Sequence, residues 1–345
     1  MSKAGRFICI LAIIASVVVL AGHLISRTGR DVSRLSEDIN IDGFAEGISN
    51  AISDIGNRLD DGPGESEYNE LRMQYTFPEE LYPYLYMLNE EEQRAYFFIY
   101  DGVYKAERTI KLGKFTDVYK DNVMKVVTAV YNDHPELFWF DSGATYVYEE
   151  QSGLVVEVKP QYNDLADSLL STKSAFNANA ESIISYARLL QGSGPLKQEV
   201  YVHDCLCEIC EYDLSASNHQ SAYSCLVDGH SVCSGYARAF QYIMQRLGIP
   251  TYFVTGVTSK GGAHAWNIVM IDGSAYYVDV TWDDEVGRQT GESVHAFFNV
   301  TETDVSKTHS RQGMSTFLPQ CTRGDLAYSV AVGDTITIDQ IKWSP

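Results

Sequence analysis

Positive charge is scarce in this chain. Across 345 residues, 26 Lys and Arg face 46 Asp and Glu, a formal charge of −20. Nucleic acids and anionic lipid headgroups reward the opposite sign, so neither is an expected partner. Seven cysteines occur, but His23 and not a cysteine comes directly after Leu20-Ala21-Gly22, which closes the lipoprotein route. Four soft metal donors do fall close together: His203, Cys205, Cys207 and Cys210. At about 100° per residue, a helix sends Cys205 almost opposite the other three, so one helix cannot bring all four to one tetrahedral ion. No metal and no cofactor is expected, and these cysteines read as buried or half-buried free thiols.

What remains is globular: 45% hydrophobic and 21% charged residues, in a chain long enough for one large or two ordinary domains. Its first 25 residues stand apart. Lys3 and Arg6 precede an apolar run over 7–22 that continues through Leu24-Ile25 before Arg27 and Arg30. That length lies between a signal-peptide core and a membrane span. The preferred reading is an uncleaved anchor over 1–25, single-pass, with the rest outside the cell membrane; the alternative is secretion after cleavage behind Ala21. Residues 26–67 read as a stalk. An amphipathic stripe of Phe44, Ile48, Ala51, Ile52, Ile55 and Leu59 ends at Asp60-Asp61-Gly62-Pro63-Gly64. Residues 68–161 read as a small α/β module, with helices over 88–107 and 116–132 and short strands over 137–140, 145–148 and 154–158. His134 and Glu136 flank Pro135 there and read as a turn that seats Phe138 and Trp139. A catalytic part is expected over 162–345, entered by helices over 162–190 and 196–212.

The chemistry concentrates in residues 231–284. From Tyr236 the apolar positions Ala239, Phe240, Ile243, Met244 and Leu247 form a helical stripe, stopped by Gly248-Ile249-Pro250. Cys233 therefore opens a helix, where unpaired N–H groups and the dipole favour thiolate over thiol. Asp272-Gly273 is a hairpin signal between strands predicted over 264–271 and 274–282. With a two-residue loop, Ile271 faces Ser274 and Trp266 faces Asp279. His264 then shares a face with Asp279 as a diagonal neighbour, about 7–8 Å away between Cα atoms, a gap an imidazole and a carboxylate can close. Asp283 falls on the same face in that strand but beyond His264.

The words Val232-Cys-Ser-Gly-Tyr-Ala-Arg-Ala-Phe240, His264-Ala-Trp-Asn267 and Tyr277-Val-Asp-Val-Thr-Trp-Asp-Asp284, in this order, resemble the transglutaminase-like superfamily, and most of all its bacterial branch. His203-Asp204 with Tyr212-Asp213 resembles a word upstream of the family's cysteine, although Cys205 stands where a tyrosine is common. Residues 132–139, 297–301 and 318–321 also look like the family, so the likeness covers roughly 70–345. It implies an α+β, papain-like core in which the cysteine-bearing helix packs on an antiparallel sheet. It implies thiol acyltransfer or hydrolysis of amide bonds in peptide or protein substrates, including cell-wall peptide, with Cys233 as nucleophile, His264 as base and Asp279 as its orienting acid. Water or an amine would be the acceptor, and no calcium loop is evident. The alternative is a surface module that binds peptide or cell-wall polymer without turning it over.

Overall fold

The computed structural model describes residues 62–341. The anchor expected over 1–25 and nearly all of the stalk lie outside them. Among the described residues no helix is long and apolar enough to cross a membrane.

Helix α1 (Glu65–Gln74) leads into α2 (Glu90–Tyr104), which starts at a capping box: Asn89 accepts from Glu92 N, and Glu92 reaches back to Asn89 N. Strand β1 (Ile110–Lys111), helix α3 (Val123–Asp133) and strands β2 (Phe140–Tyr148) and β3 (Val155–Tyr162) follow. The antiparallel sheet runs β1-β3-β2. Two expectations shift here. The helix predicted from residue 116 begins at Val123, and residues 137–139 form a turn that buries Phe138 and Trp139 ahead of one long strand. Aromatic content made that turn look strand-like; burial, which strands and turns both supply, is what those residues needed.

Helix α4 (Leu169–Leu189) ends before Gly192-Ser193-Gly194, and α5 (Pro195–Ile209) begins on Pro195 at its first turn, where the missing N–H costs nothing. Short strands β4 (Glu211–Tyr212) and β5 (His230–Ser231) pair in parallel and deliver the chain to α6 (Cys233–Arg246). Helix α6 is buried on all sides from Ser234 to Met244, and the predicted stripe Tyr236, Ala239, Phe240, Ile243 and Met244 is wholly inaccessible within it. Full burial of each large apolar side chain contributes about 1.5–3 kcal/mol. Gly248 ends the helix at φ 78°, a conformation that glycine adopts without strain.

Helix α6 packs on β6 (Thr251–Thr258) and β7 (Ala263–Ile271), in a five-stranded antiparallel sheet. Its order is β10-β6-β7-β8-β9, with β8 at Ser274–Val278, β9 at Phe298–Val300 and β10 at His309–Arg311. Asp272 and Gly273 both take positive φ, 49° and 75°, so the hairpin is the tight two-residue one. Ile271 pairs with Ser274 and Asn267 with Val278, the register read from the sequence. The strand predicted to 282 stops at Val278, however, and α7 (Val280–Thr290) begins at once. Asp279 is its N-cap, accepting from Trp282 N at 3.1 Å, while its own N–H goes to Phe297 O. Val280, Thr281 and Trp282 carry strand propensity, but the cap overrides it.

Residues 62–341 form one compact unit. Arg238 of α6 donates to Tyr131 O at 2.7 Å and His134 O at 3.0 Å, and Gln241 to Asn132 O at 2.9 Å. The back of the cysteine helix is thus fixed to the end of α3.

Candidate active site

Cys233 is the first residue of α6, behind Val232, which offers no side-chain cap. The N–H groups of Cys233 and Ser234 therefore lack intrahelical acceptors beneath the thiol, while those of Gly235 and Tyr236 go to Val232 O. The approach loop is clamped by hydroxyls. Ser231 Oγ bonds His219 O and Ser224 Oγ, each at 2.8 Å, and Ser234 Oγ bonds Gln220 O at 3.1 Å. Gly235 has to be glycine at this point. A Cβ there would overlap Ser231 Oγ and stand 2.7 Å from Ser221 O.

The hairpin register brings His264 to Asp279: Nε2 lies 2.6 Å from Asp279 Oδ2, with both side chains almost fully buried. Burial alone pulls the His264 pKa down; the Asp279 charge and hydrogen bonds to Asp279 and Cys233 outweigh it and push it up to about 10. For Asp279, burial acts upward, but the charge and N–H of His264, with His309 behind them, hold it well below the usual carboxylate range. With Nε2 turned to Asp279, the ring's Nδ1 is the atom left for the thiol. Cys233 and His264 line a cavity of about 560 Å³ with Tyr212, Leu214, Gln220 and Gln312. A larger cavity of about 610 Å³ is bordered by Trp282, Lys260, Glu285 and Lys307, and none of the three site residues opens into it.

Asp283 departs from the strand expectation. On α7 it turns away from His264, accepts from Phe297 N at 2.9 Å and meets His203 Nε2 at 3.2 Å. Burial raises its pKa, against the opposing pull of His203. Asp284 lies 2.7 Å from the Tyr236 hydroxyl and 3.0 Å from Arg288 Nε. The two aspartates brace α7 rather than the thiol's base. Cys207 Sγ lies 4.0 Å from His203 Nδ1, and Cys210 is buried at the helix end. Among the described residues two groups have metal-ligand spacing, His203/Asp204/His295 and His264/Asp279/His309, each already joined by internal hydrogen bonds. His134 is fully buried, 2.7 Å from both Glu136 Oε1 and Tyr96 OH, a structural pair under the Pro135 turn.

A helix that begins at a cysteine is laid on an antiparallel sheet, with a histidine on β7 and an aspartate capping α7 in contact with each other. Residues 184–280 match the model of the transglutaminase-like superfamily. That span holds Cys233, His264 and Asp279. No curated protein matches the chain. Among solved structures, a candidate cysteine protease from Cytophaga hutchinsonii is 21% identical over 30% of this chain and 37% of its own, at a TM-score of 0.26. A protein described as a TGase is 14% identical over 41% and 44%, at 0.28. A candidate protease from Parabacteroides distasonis is 10% identical over 40% and 36%, at 0.24. The chain therefore spans less than half the length of each.

One contributor to the site had no signal in the sequence reading. His309 Nε2 lies 3.0 Å from Asp279 Oδ2, the oxygen that also meets His264. It sits outside the matched span and outside every motif, on the edge strand β10.

Proposed function

We propose that the transglutaminase-like domain is a thiol-dependent enzyme acting on amide bonds of peptide or protein substrates. Cys233 Sγ attacks the amide carbonyl carbon. His264 takes the thiol proton and passes it to the departing nitrogen as the C–N bond breaks, leaving a thioester. Water or an amine then gives its proton to His264 and attacks the thioester, which restores the thiol. Asp279 keeps the ring's Nδ1 available to the thiol and stabilises the imidazolium. The N–H of Cys233, at a helix start, is a donor for the tetrahedral oxyanion.

The observation that carries this reading is the buried 2.6 Å contact between His264 and Asp279, beside a cysteine at a helix start and open to a cavity. Five other described cysteines provide internal controls. Iodoacetamide at pH about 6 should alkylate Cys233 ahead of Cys205, Cys207, Cys210, Cys225 and Cys321, and His264→Ala should remove that preference. Equal labelling of several cysteines would sink the nucleophile. Incubation with a cell-surface extract should then trap an acyl adduct on Cys233, whose mass identifies the substrate. Binding of wall peptide without any adduct would favour a non-catalytic module. The basic and apolar pattern of residues 3–30 supports an extracytoplasmic location, which protease digestion of intact protoplasts would test.

A further inference from the structure

The Asp279 carboxylate is engaged on both oxygens. Oδ1 takes the Trp282 N–H at 3.1 Å, and Oδ2 lies 2.6 Å from His264 Nε2 and 3.0 Å from His309 Nε2. A triad needs only one histidine on its carboxylate, so the second calls for an explanation. His309 reaches the site because β10 pairs with β6 at the sheet edge, His309 opposite Thr258. Its ring is fully buried, with centroids 4.4 Å from Trp282, 4.9 Å from Trp266 and 5.6 Å from Phe297. These walls leave it little freedom to turn. Its other nitrogen, Nδ1, is 2.9 Å from Thr308 Oγ1. That hydroxyl donates to Val305 O at 2.9 Å, a carbonyl that also receives the Thr308 N–H at 2.9 Å. An ionised carboxylate can only accept, so the contact with Asp279 Oδ2 places a His309 N–H on Nε2.

We propose that His309 is a positioning residue for the reaction: by donating to the Asp279 oxygen that serves His264, it fixes the carboxylate's plane and moderates how tightly that carboxylate holds the His264 proton. The proposal rests on the Cys233–His264–Asp279 reading and adds a fourth member to it. A hydrogen bond to a carboxylate stabilises its charged form and makes it a weaker partner for a neighbouring cation. Without the His309 donor, Asp279 would bind the His264 proton more firmly and give it up less readily to a leaving group. The other titratable groups around the pair are Cys233 from α6, Tyr212 from β4, Tyr277 from β8 and Glu285 from α7. Glu285 raises the local negative potential, and His309 is the donor that shares Oδ2 with His264.

The test uses the full chain and needs no substrate. Iodoacetate is anionic, so its rate with Cys233 rises as the thiolate forms and falls as the neighbouring imidazolium loses its proton. The rate should be followed between about pH 5 and 11. In His309→Phe the alkaline limb should move up by about half a pH unit or more relative to wild type, and His309→Gln, which restores an N–H near Nε2, should bring it back. Thr308→Val keeps the ring but removes the hydroxyl that holds its Nδ1 side, and it should shift the limb in the same direction by less. It also keeps the question open should His309→Phe not fold. An unchanged or lowered alkaline limb in a natively folded His309→Phe, or in Thr308→Val where the former does not fold, overturns the proposal. His264→Ala separates this from failure of the triad: a wild-type profile in that variant would remove the triad itself, whatever His309 does.

Discussion

Replacing Asp279 by Asn isolates the charge of the proposed orienting acid with little change of shape. The helix start should survive, because Asn caps as well as Asp and its carbonyl can still take the Trp282 N–H, now 3.1 Å from Oδ1. The other side chain atom then becomes an NH₂ facing two ring nitrogens that were donors, at 2.6 and 3.0 Å. For those contacts to persist, both rings must carry their protons on Nδ1, which for His264 puts a hydrogen where the thiol's proton must be received. The electrostatic loss is large. The His264 pKa stands at about 10 against an ordinary 6.5; at 1.36 kcal/mol per pH unit this corresponds to at most roughly 5 kcal/mol. An unassisted cysteine is only about 0.3% thiolate at pH 6, so alkylation there should slow by about a hundredfold. Amide turnover, once a substrate is known, should fall by about 10³–10⁴, as in protease triads.

The stability consequence has a definite sign. A raised histidine pKa contributes stability in full below about 6.5 and loses it as pH rises through about 10. A depressed aspartate pKa contributes above about 3.8 and loses it in more acid solution. Asp279→Asn should therefore cost most near pH 4–6.5 and converge on wild type near pH 10. Urea melts at pH 6 and 10, beside alkylation rates and circular dichroism, make the check. A folded variant that alkylates at pH 6 within about threefold of wild type would refute the assignment.

Gly235→Ala should unfold or severely destabilise the chain, by about 2 kcal/mol or more, because Ser231 Oγ, Ser221 O and His219 O surround the missing Cβ; a urea midpoint near wild type would show that the loop can yield. Arg238→Met should cost about 1–3 kcal/mol in the same assay, since it takes the side-chain donor from the buried Tyr131 carbonyl and leaves His134 O only the Leu137 N–H. His203 is held between Cys207, Asp204 and Asp283; burial acts against its charge, yet these partners raise its pKa well above the usual value. Its stabilisation should be full below about pH 6.5 and fade as pH rises, so His203→Phe should flatten the melting temperature between about pH 6 and 9, and a profile parallel to wild type would contradict this.

Local pattern was enough to read much of this molecule. The stripe Tyr236–Met244 specified a buried helix face because 3.6-residue periodicity survives in almost any tertiary setting. Asp272-Gly273 specified the hairpin and its register, since a tight turn with two positive φ values suits few other residues; that register alone carried His264 to Asp279. The helix at Val280 was hidden by strand-favouring Val, Thr and Trp, whose preference is weak beside a cap and a helix docked on Tyr236 and Phe297. The braces His203–Asp283 and His295–Asp204 join side chains about 80 and 90 residues apart, and His309 meets Asp279 only through the pairing of an edge strand with β6. Such contacts leave no period and no turn signature in the chain. Backbone hydrogen bonding and burial fixed which strand lies at the edge and which polar groups share its interior, and those terms exist only once the sheet has closed.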